Sequence, residues 1–140
     1  MKQLIFILIA FLTVNNVYAK AAFSGIDYSG VYDCTGEDFK EGNYKGTVTL
    51  KLNPEQSSEK YGAYSFQLDA QGYGIYEGQA AQNGDTMAMH FALNKPKTDD
   101  FGTGIANFKK TESGKYTFHK FYYEPKYKGG NHGVEECKQR

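Results

Sequence analysis

Several residue types are scarce in this sequence: its 140 residues include no tryptophan, two cysteines and three histidines. There is also no excess of charge, because 16 Lys and Arg stand against 16 Asp and Glu. A chain without a basic excess lacks the electrostatic footprint of a partner for nucleic acid or for an anionic membrane surface. The histidines do not form His-x-x-x-His or His-Glu-x-x-His spacings, which are the usual signature of a helical zinc site. We therefore predict no nucleic-acid partner, no metal site and no cofactor.

The only long apolar run lies at the start of the chain. Met1-Lys2-Gln3 carries one positive charge, an unbroken apolar stretch covers 4–12, and Val17-Tyr18-Ala19 follows. A basic start, a short apolar core and a small residue before the cut are the three parts of a secretory signal. The run is too short to span a bilayer, which needs about 20 apolar residues. We predict a cleaved signal peptide at 1–19, with an uncleaved N-terminal anchor as the alternative. The remaining chain is then exported to the periplasm or the extracellular space, with no membrane insertion after cleavage.

The rest of the chain, 20–140, reads as a single β-rich domain. The sequence holds 16 glycines and 12 tyrosines, no low-complexity linker divides it, and turn signals recur every dozen or so residues. In 44–52 apolar and polar residues alternate with period two, and 63–69 repeats the pattern. Asn83-Gly84 is a strong hairpin-turn signal, and Gly78 suggests a bend or bulge. No stretch shows a sustained helical period. We predict an all-β fold of about eight short antiparallel strands.

The two cysteines lie on the first and last predicted strands, at 30–36 and 133–139. In an oxidising compartment two cysteines most often pair, and we predict a Cys34–Cys137 disulfide, with two free thiols as the alternative. A disulfide needs Cα atoms within about 7 Å, so the terminal strands must meet. This favours a single up-and-down β-barrel, which removes exposed sheet edges. An open sandwich is the alternative.

The predicted layout resembles the calycin-like barrels, the group of secreted binders that includes lipocalins and avidin-like proteins. Gly30-Val31-Tyr32 stands where lipocalins have Gly-x-Trp on the first strand. Thr98-Asp99-Asp100-Phe101 is similar to their Thr-Asp-Tyr loop. The resemblance implies a calycin-like barrel that binds a ligand through its mouth.

A second resemblance is to the periplasmic inhibitors of C-type lysozyme, which are small exported eight-stranded barrels. Tyr32-Asp33-Cys34 and Cys137 match their Tyr-x-Cys on the first strand and their late cysteine. Ser113-Gly114-Lys115-Tyr116 comes nearest to their Ser-Gly-x-x-Tyr inhibitory loop and is one residue shorter. This resemblance implies an inhibitor of a lysozyme-like or other hydrolytic enzyme.

The sequence offers few candidates for catalysis. A Gly-x-Ser-x-Gly motif does not occur, and cysteines in a disulfide cannot serve as nucleophiles. His90, His119 and His132 fall on different predicted elements, and we interpret the first two as exposed strand residues. Glu135-Glu136 is a poor catalytic dyad, since neighbours on a strand point to opposite faces. The carboxylates of Asp99-Asp100 and Glu135-Glu136 are interpreted as solvated charges. We predict no catalytic residues and no enzyme activity. An enzyme with a non-obvious site is the remaining alternative.

The most unusual segment, 121–133, is first aromatic and then glycine-rich. Tyrosine combines a large apolar face with a hydroxyl and is common at binding surfaces. We predict that ligand or partner binding involves Tyr122, Tyr123, Tyr127 and His132. The alternative is a hairpin whose tyrosines pack on the barrel. The predicted function is a non-enzymatic binding module that contacts a small apolar or aromatic ligand, or a protein partner, through the barrel mouth or this loop; its oligomeric state is left open.

The predicted interior contains many large side chains. An eight-stranded barrel has room either for a filled core or for one small ligand. We favour a filled barrel, with binding at the mouth or the surface, because the inward positions include Tyr44, Tyr64, Phe66, Met87, Met89, Phe91, Phe108 and Phe118.

Overall fold

Eight segments with alternating inward and outward residues form the antiparallel strands of the computed structural model, which describes residues 20–140. The predicted leader, 1–19, lies outside the described residues. The strands are β1 Gly30–Asp38, β2 Gly42–Leu52, β3 Tyr61–Ala70, β4 Gly74–Asn83, β5 Thr86–Leu93, β6 Phe101–Lys110, β7 Tyr116–Glu124 and β8 Asn131–Gln139. A short 3-10 turn, Tyr127–Gly129, lies between β7 and β8. Within the described range no helix is long and apolar enough to cross a membrane.

The sheet closes on itself, because each strand pairs with the next and β8 pairs with β1. Cys34 lies directly opposite Cys137 in the β1–β8 register, with the two Cα atoms 4.1 Å apart and a disulfide between the side chains. Both cysteines are buried and point into the barrel. The predicted all-β up-and-down barrel and its cysteine pairing are thus confirmed, and the open sandwich is wrong. The eight-stranded closed barrel is consistent with a calycin-like architecture.

Gly84, in the turn after β4, and Gly78, within β4, are required for different reasons. Gly84 has a φ of 67° and turns the chain from β4 into β5, as the Asn-Gly signal predicts. The bulge predicted at Gly78 is wrong, because its pairing with Phe66 on one side and Phe91 on the other is unbroken. A Cβ atom at Gly78 would lie 1.8 Å from the carbonyl oxygen of His90. This glycine therefore permits a close approach of two strands.

One end of the barrel, which we call the base, is closed by the segment that precedes β1. Tyr28 is 2% exposed, and its ring stacks on Phe108 with the centroids 4.2 Å apart. The Tyr32 hydroxyl donates to the Tyr28 carbonyl at 2.8 Å, and Gln82 Nε2 donates to the Ile26 carbonyl at 2.9 Å. Because these contacts fill the base, ligand access from this end is blocked.

Above the base the lumen is packed with apolar side chains, which accords with the filled-barrel interpretation. The buried set contains aromatic, aliphatic and methionine side chains from β1 to β7, and β8 contributes Cys137. Its members near the middle of the barrel include Val48, Leu50, Phe66, Met87, Met89 and Phe118. What remains open lies at the opposite end, where polar groups replace apolar ones.

Candidate functional site

The opposite end of the barrel, which we call the mouth, is where the β1–β2, β3–β4, β5–β6 and β7–β8 connections meet. Just inside the mouth lies a cavity of about 40 Å³. A cavity needs about 10–15 Å³ on this measure to hold one water molecule, so this one has room for a single small group. Its walls combine five tyrosines, Tyr44, Tyr73, Tyr76, Tyr122 and Tyr127, with the charged residues Asp38, Glu41, Lys120, Glu124 and Glu135.

An ion pair forms the inner wall of the cavity. Lys120 Nζ lies 2.6 Å from Glu135 Oε2, and the two side chains are 1% and 0% exposed. The Tyr44 hydroxyl donates to the other Glu135 oxygen, Oε1. Burial, and next the nearby Glu135 carboxylate, raises the pKa of Tyr44, so its hydroxyl stays protonated and remains a donor. The Glu135 carboxylate is therefore held by one cation and one hydroxyl.

Lys120 also lies among aromatic rings. Its Nζ is 5.1 Å from the ring centroid of Phe66, 5.2 Å from that of Phe91 and 5.4 Å from that of Tyr122. A cation within about 6 Å of an aromatic face is attracted by the ring quadrupole, and more strongly when it is desolvated. The lumen next to the cavity is thus an environment that accommodates a positive charge.

The side-chain amide of Asn131 links the carboxylates of Asp38 and Glu124. Asn131 Nδ2 donates to Asp38 Oδ2 at 2.7 Å and to Glu124 Oε2 at 2.6 Å. Asp38 Oδ2 also accepts from the Tyr122 hydroxyl at 2.6 Å, and its Oδ1 accepts from the backbone amides of Lys40 and Glu41. All of these contacts hold the charged form of Asp38 at the rim of the lumen.

These environments move the two carboxyl pKa values in opposite directions. Burial acts to raise the pKa of Asp38, but the hydrogen bonds from Tyr122, the backbone and Asn131 outweigh burial and leave the pKa below its ordinary value. Within residues 20–140 Glu124 accepts one hydrogen bond, from Asn131. Burial raises the pKa of Glu124 to about 7, with Asp100 and Asp38 acting in the same direction. Glu124 therefore changes charge near neutral pH, whereas Asp38 stays ionised.

A third carboxylate, Asp100, lies at the end of the β5–β6 connection. The Tyr76 hydroxyl donates to its Oδ2 at 2.9 Å, and its buried Oδ1 has no hydrogen-bond partner in the described part of the chain. Burial is the main cause that raises the pKa of Asp100. Tyr76 lines the cavity, so this pair extends the polar wall towards the β5–β6 side of the mouth.

The β7–β8 loop is tied to the β1–β2 turn across the mouth. The Tyr127 hydroxyl donates to Glu41 Oε1 at 2.9 Å, and Lys128 Nζ forms an ion pair with the same oxygen. Lys128 has a φ of 45° within the short 3-10 turn. The aromatic and glycine-rich segment 121–133 is thus folded against the β1–β2 turn and contributes Tyr127 to the wall of the cavity.

The four predicted binding residues fall in two places. Tyr122 and Tyr127 line the cavity. Tyr123 and His132 are opposite each other on the outer wall of β7 and β8, and both are exposed. His132 stacks on Phe39, with ring centroids 4.9 Å apart and an angle of 15° between the planes. The structure therefore brings the first two together and separates them from the other two by the barrel wall.

Sequence reasoning missed most of the polar groups inside the mouth. Solvated charge was expected for Asp100 and Glu135, and this is wrong: Glu135 is fully buried, and Asp100 is partly buried with one buried oxygen. Lys120, Glu124 and Asn131 were not identified at all. A signal was present, because Lys120 and Glu124 alternate in phase with Phe118 and Tyr122 on β7 and must share their inward face.

The other candidate chemistries lie away from the cavity. His90 and His119 are exposed on the outer wall, as predicted, and His119 Nδ1 lies 2.6 Å from Glu136. The turn with Ser113 and Gly114 is at the base, where Tyr116 packs edge-on against Tyr28. Among residues 20–140 one grouping of metal-type side chains is found, and its two cysteine sulfurs are bonded to each other.

The mouth therefore contains a small cavity with tyrosine walls, one buried cation and several carboxylates that differ in charge state. Such an arrangement can bind a small polar group and can exchange a proton near neutral pH through Glu124. Comparison of the chain with protein-family models, with curated proteins and with solved structures finds no match.

Proposed function

We propose that this chain is an exported, non-enzymatic binding module that takes a small ligand into the mouth of its barrel. The observation that carries the proposal is the position of the cavity: the base is closed, the lumen is packed, and the space that remains lies beneath the mouth. Clefts lined by aromatic side chains with a few convergent polar groups are the usual form of a small-molecule site. The buried disulfide is compatible with an oxidising compartment outside the cytoplasm.

The size of the cavity indicates how a ligand would bind. A volume of about 40 Å³ holds only one end group, so the rest of the ligand must lie between the connections of the mouth. Tyr73 and Tyr127 line this space from the β3–β4 and β7–β8 connections and are half-buried. Their rings offer apolar area for a ligand, and this part of the proposal agrees with the small apolar or aromatic ligand that the sequence suggests.

The test uses two neighbouring tyrosines as a matched pair. Phenol, n-butylammonium chloride and sodium benzoate are titrated separately into the 15N-labelled mature protein, and amide shifts are followed by NMR. We expect at least one compound to shift the amides of the mouth connections. Tyr127→Ala should weaken its binding at least tenfold, while Tyr123→Ala, the same change on the outer wall, should leave it unaltered. If no compound shifts the mouth, or if both variants bind equally well, the proposal fails.

A second candidate function, inhibition of a hydrolytic enzyme, is favoured by the outer wall rather than the mouth. Phe39, Phe121 and Tyr123 are 68%, 50% and 48% exposed, and all three lie around His132. Exposed aromatic clusters are common at protein contacts. An assay of C-type lysozyme with the mature protein tests this candidate. Inhibition that survives Tyr127→Ala and is lost in Phe121→Ser would support it, and unchanged lysozyme activity would exclude that target.

A further inference from the structure

Some acidic side chains of the mouth are paired with a lysine, and others are not. Glu135 is paired with Lys120, and Glu41 is paired with Lys128. Among the described residues, Glu124 and Asp100 have no cation within ion-pair distance. Each contributes repulsion to the other, since the Asp100 charge is one cause of the raised Glu124 pKa. Lys120 acts on Glu124, and Lys95 acts on Asp100, only from beyond ion-pair distance, so the two negative charges are offset only in part within residues 20–140.

These two carboxylates also have oxygens that lack donors. Glu124 is 6% exposed and lines the cavity, and its one hydrogen bond uses Oε2, so Oε1 has no donor within the described part of the chain. Asp100 lies outside the lining of the cavity, and its buried Oδ1 has no partner in residues 20–140; the same holds for the buried Oδ1 of Asn131, next to Glu124. A buried acceptor without a partner is unfavourable. The site is therefore complementary to a group that brings N–H donors.

The walls favour a positive rather than a neutral donor, because four acidic residues line the cavity against one cation, Lys120. Phe91 and Tyr122 line the cavity and already lie 5.2 and 5.4 Å from the Lys120 ammonium. Tyr73 and Tyr76 add two further rings. Aromatic faces beside carboxylates are a common way of recognising organic ammonium groups.

We infer that the ligand of the mouth carries a primary ammonium group, which enters the cavity and donates a hydrogen bond to the free oxygen of Glu124. This inference rests on the proposed function. A primary ammonium fits the cavity of about 40 Å³ and has the N–H donors that a quaternary ammonium lacks. Calcium takes six to eight oxygen ligands, whereas the carboxylates of Asp38, Glu135 and Glu41 already accept hydrogen bonds or pair with lysines of this chain.

The experiment compares a charged ligand with its neutral counterpart. Mature protein is titrated with n-butylammonium chloride, with n-butanol and with calcium chloride, and amide shifts of the mouth are followed by NMR. We expect n-butylammonium to bind at least tenfold more tightly than n-butanol. Glu124→Gln removes the charge and keeps the shape of the side chain. Because one charge-assisted hydrogen bond is then lost, n-butylammonium binding should weaken about tenfold or more. Glu136→Gln, an equal change on the outer wall, is the control and should have no effect.

The pH dependence provides a second measurement. Asp38, Asp100 and Lys120 are the charged groups that face Glu124. Since the pKa of Glu124 is about 7 and an alkylamine keeps its proton to about pH 10, n-butylammonium affinity should fall at least tenfold from pH 8 to pH 5. In Glu124→Gln this fall should be much smaller.

The outcomes separate this inference from the proposed function. If n-butanol binds at the mouth as tightly as n-butylammonium, or calcium binds in place of both, the ammonium inference is wrong and the mouth remains a binding site. The same conclusion follows if Glu124→Gln binds n-butylammonium as well as the wild type does. If none of these compounds, nor phenol or benzoate, shifts the mouth, both proposals fail.

Discussion

Replacing Lys120 by methionine tests the ion pair inside the barrel most directly. Methionine fills a similar volume but leaves the Glu135 carboxylate, which is 0% exposed, without its cation. Breaking a buried pair from one side costs about 3–5 kcal/mol, because an uncompensated charge stays in the interior. The Tyr44 hydroxyl still donates to Glu135 and offsets a part of this loss. We therefore expect Lys120→Met to lower the free energy of unfolding by about 3 kcal/mol, the lower end of that range.

The assay is urea denaturation of oxidised mature protein, followed by far-ultraviolet circular dichroism at pH 7. The double variant Lys120→Met/Glu135→Gln removes both charges and keeps an acceptor for Tyr44, so it should recover most of the lost stability. Lys109→Met, the same change at an exposed position of β6, should leave the urea midpoint unaltered. If Lys120→Met lowered the free energy of unfolding by less than about 1 kcal/mol, which is the contribution of an exposed ion pair, the reasoning would be refuted. A double variant no more stable than the single would refute it as well.

Three further predictions concern the disulfide, the leader and Glu124. Replacing Cys34 and Cys137 together by serine should cost about 4–5 kcal/mol in urea denaturation, since the disulfide closes a loop of 103 residues; a loss below about 1 kcal/mol would contradict this model. Mass spectrometry of the exported protein should find Lys20 as its first residue, and an intact start would disprove cleavage. Because the folded-state pKa of Glu124 is raised to about 7 from 4.5, its contribution to stability is present in full below pH 4.5 and is lost as pH rises through 7. The free energy of unfolding of the wild type, relative to that of Glu124→Gln, should therefore fall by up to about 3 kcal/mol between pH 4 and pH 8. A difference in urea midpoints that does not change with pH would show that Glu124 titrates normally.

The fold could be predicted from the sequence because its signals are local or covalent. Period-two alternation in β2 and β3 defines which face is inward, and the Asn83-Gly84 turn joins two strands directly. The cysteines then determine that β1 meets β8, because a disulfide demands neighbouring strands. Gly78 was misread, since a glycine within a strand is equally consistent with a bulge and with a close approach of two strands.

The site could be predicted only in part. Tyr127 of the predicted binding segment lines the cavity, but Tyr123 lies outside the barrel, because alternate residues of a strand face opposite ways. The buried polar residues were harder to identify, since a lysine or glutamate is almost always exposed unless it is paired. Lys120 and Glu135 are adjacent across the β7–β8 register, and this pairing becomes visible only when both strands are aligned.

The position of the disulfide inside the lumen also determines when it can form and how it can be broken. The cysteines are 3% and 1% exposed, and thiol–disulfide exchange requires that a thiolate reach one of the sulfurs. In the closed barrel that approach is blocked, so neither oxidation nor reduction proceeds without separating β1 from β8. Because Cys137 belongs to β8, oxidation requires that this last strand of the barrel be brought beside β1. Once the barrel has closed, the bond is insulated from the redox state of its surroundings, and the rate of its reduction reports how often the first and last strands part.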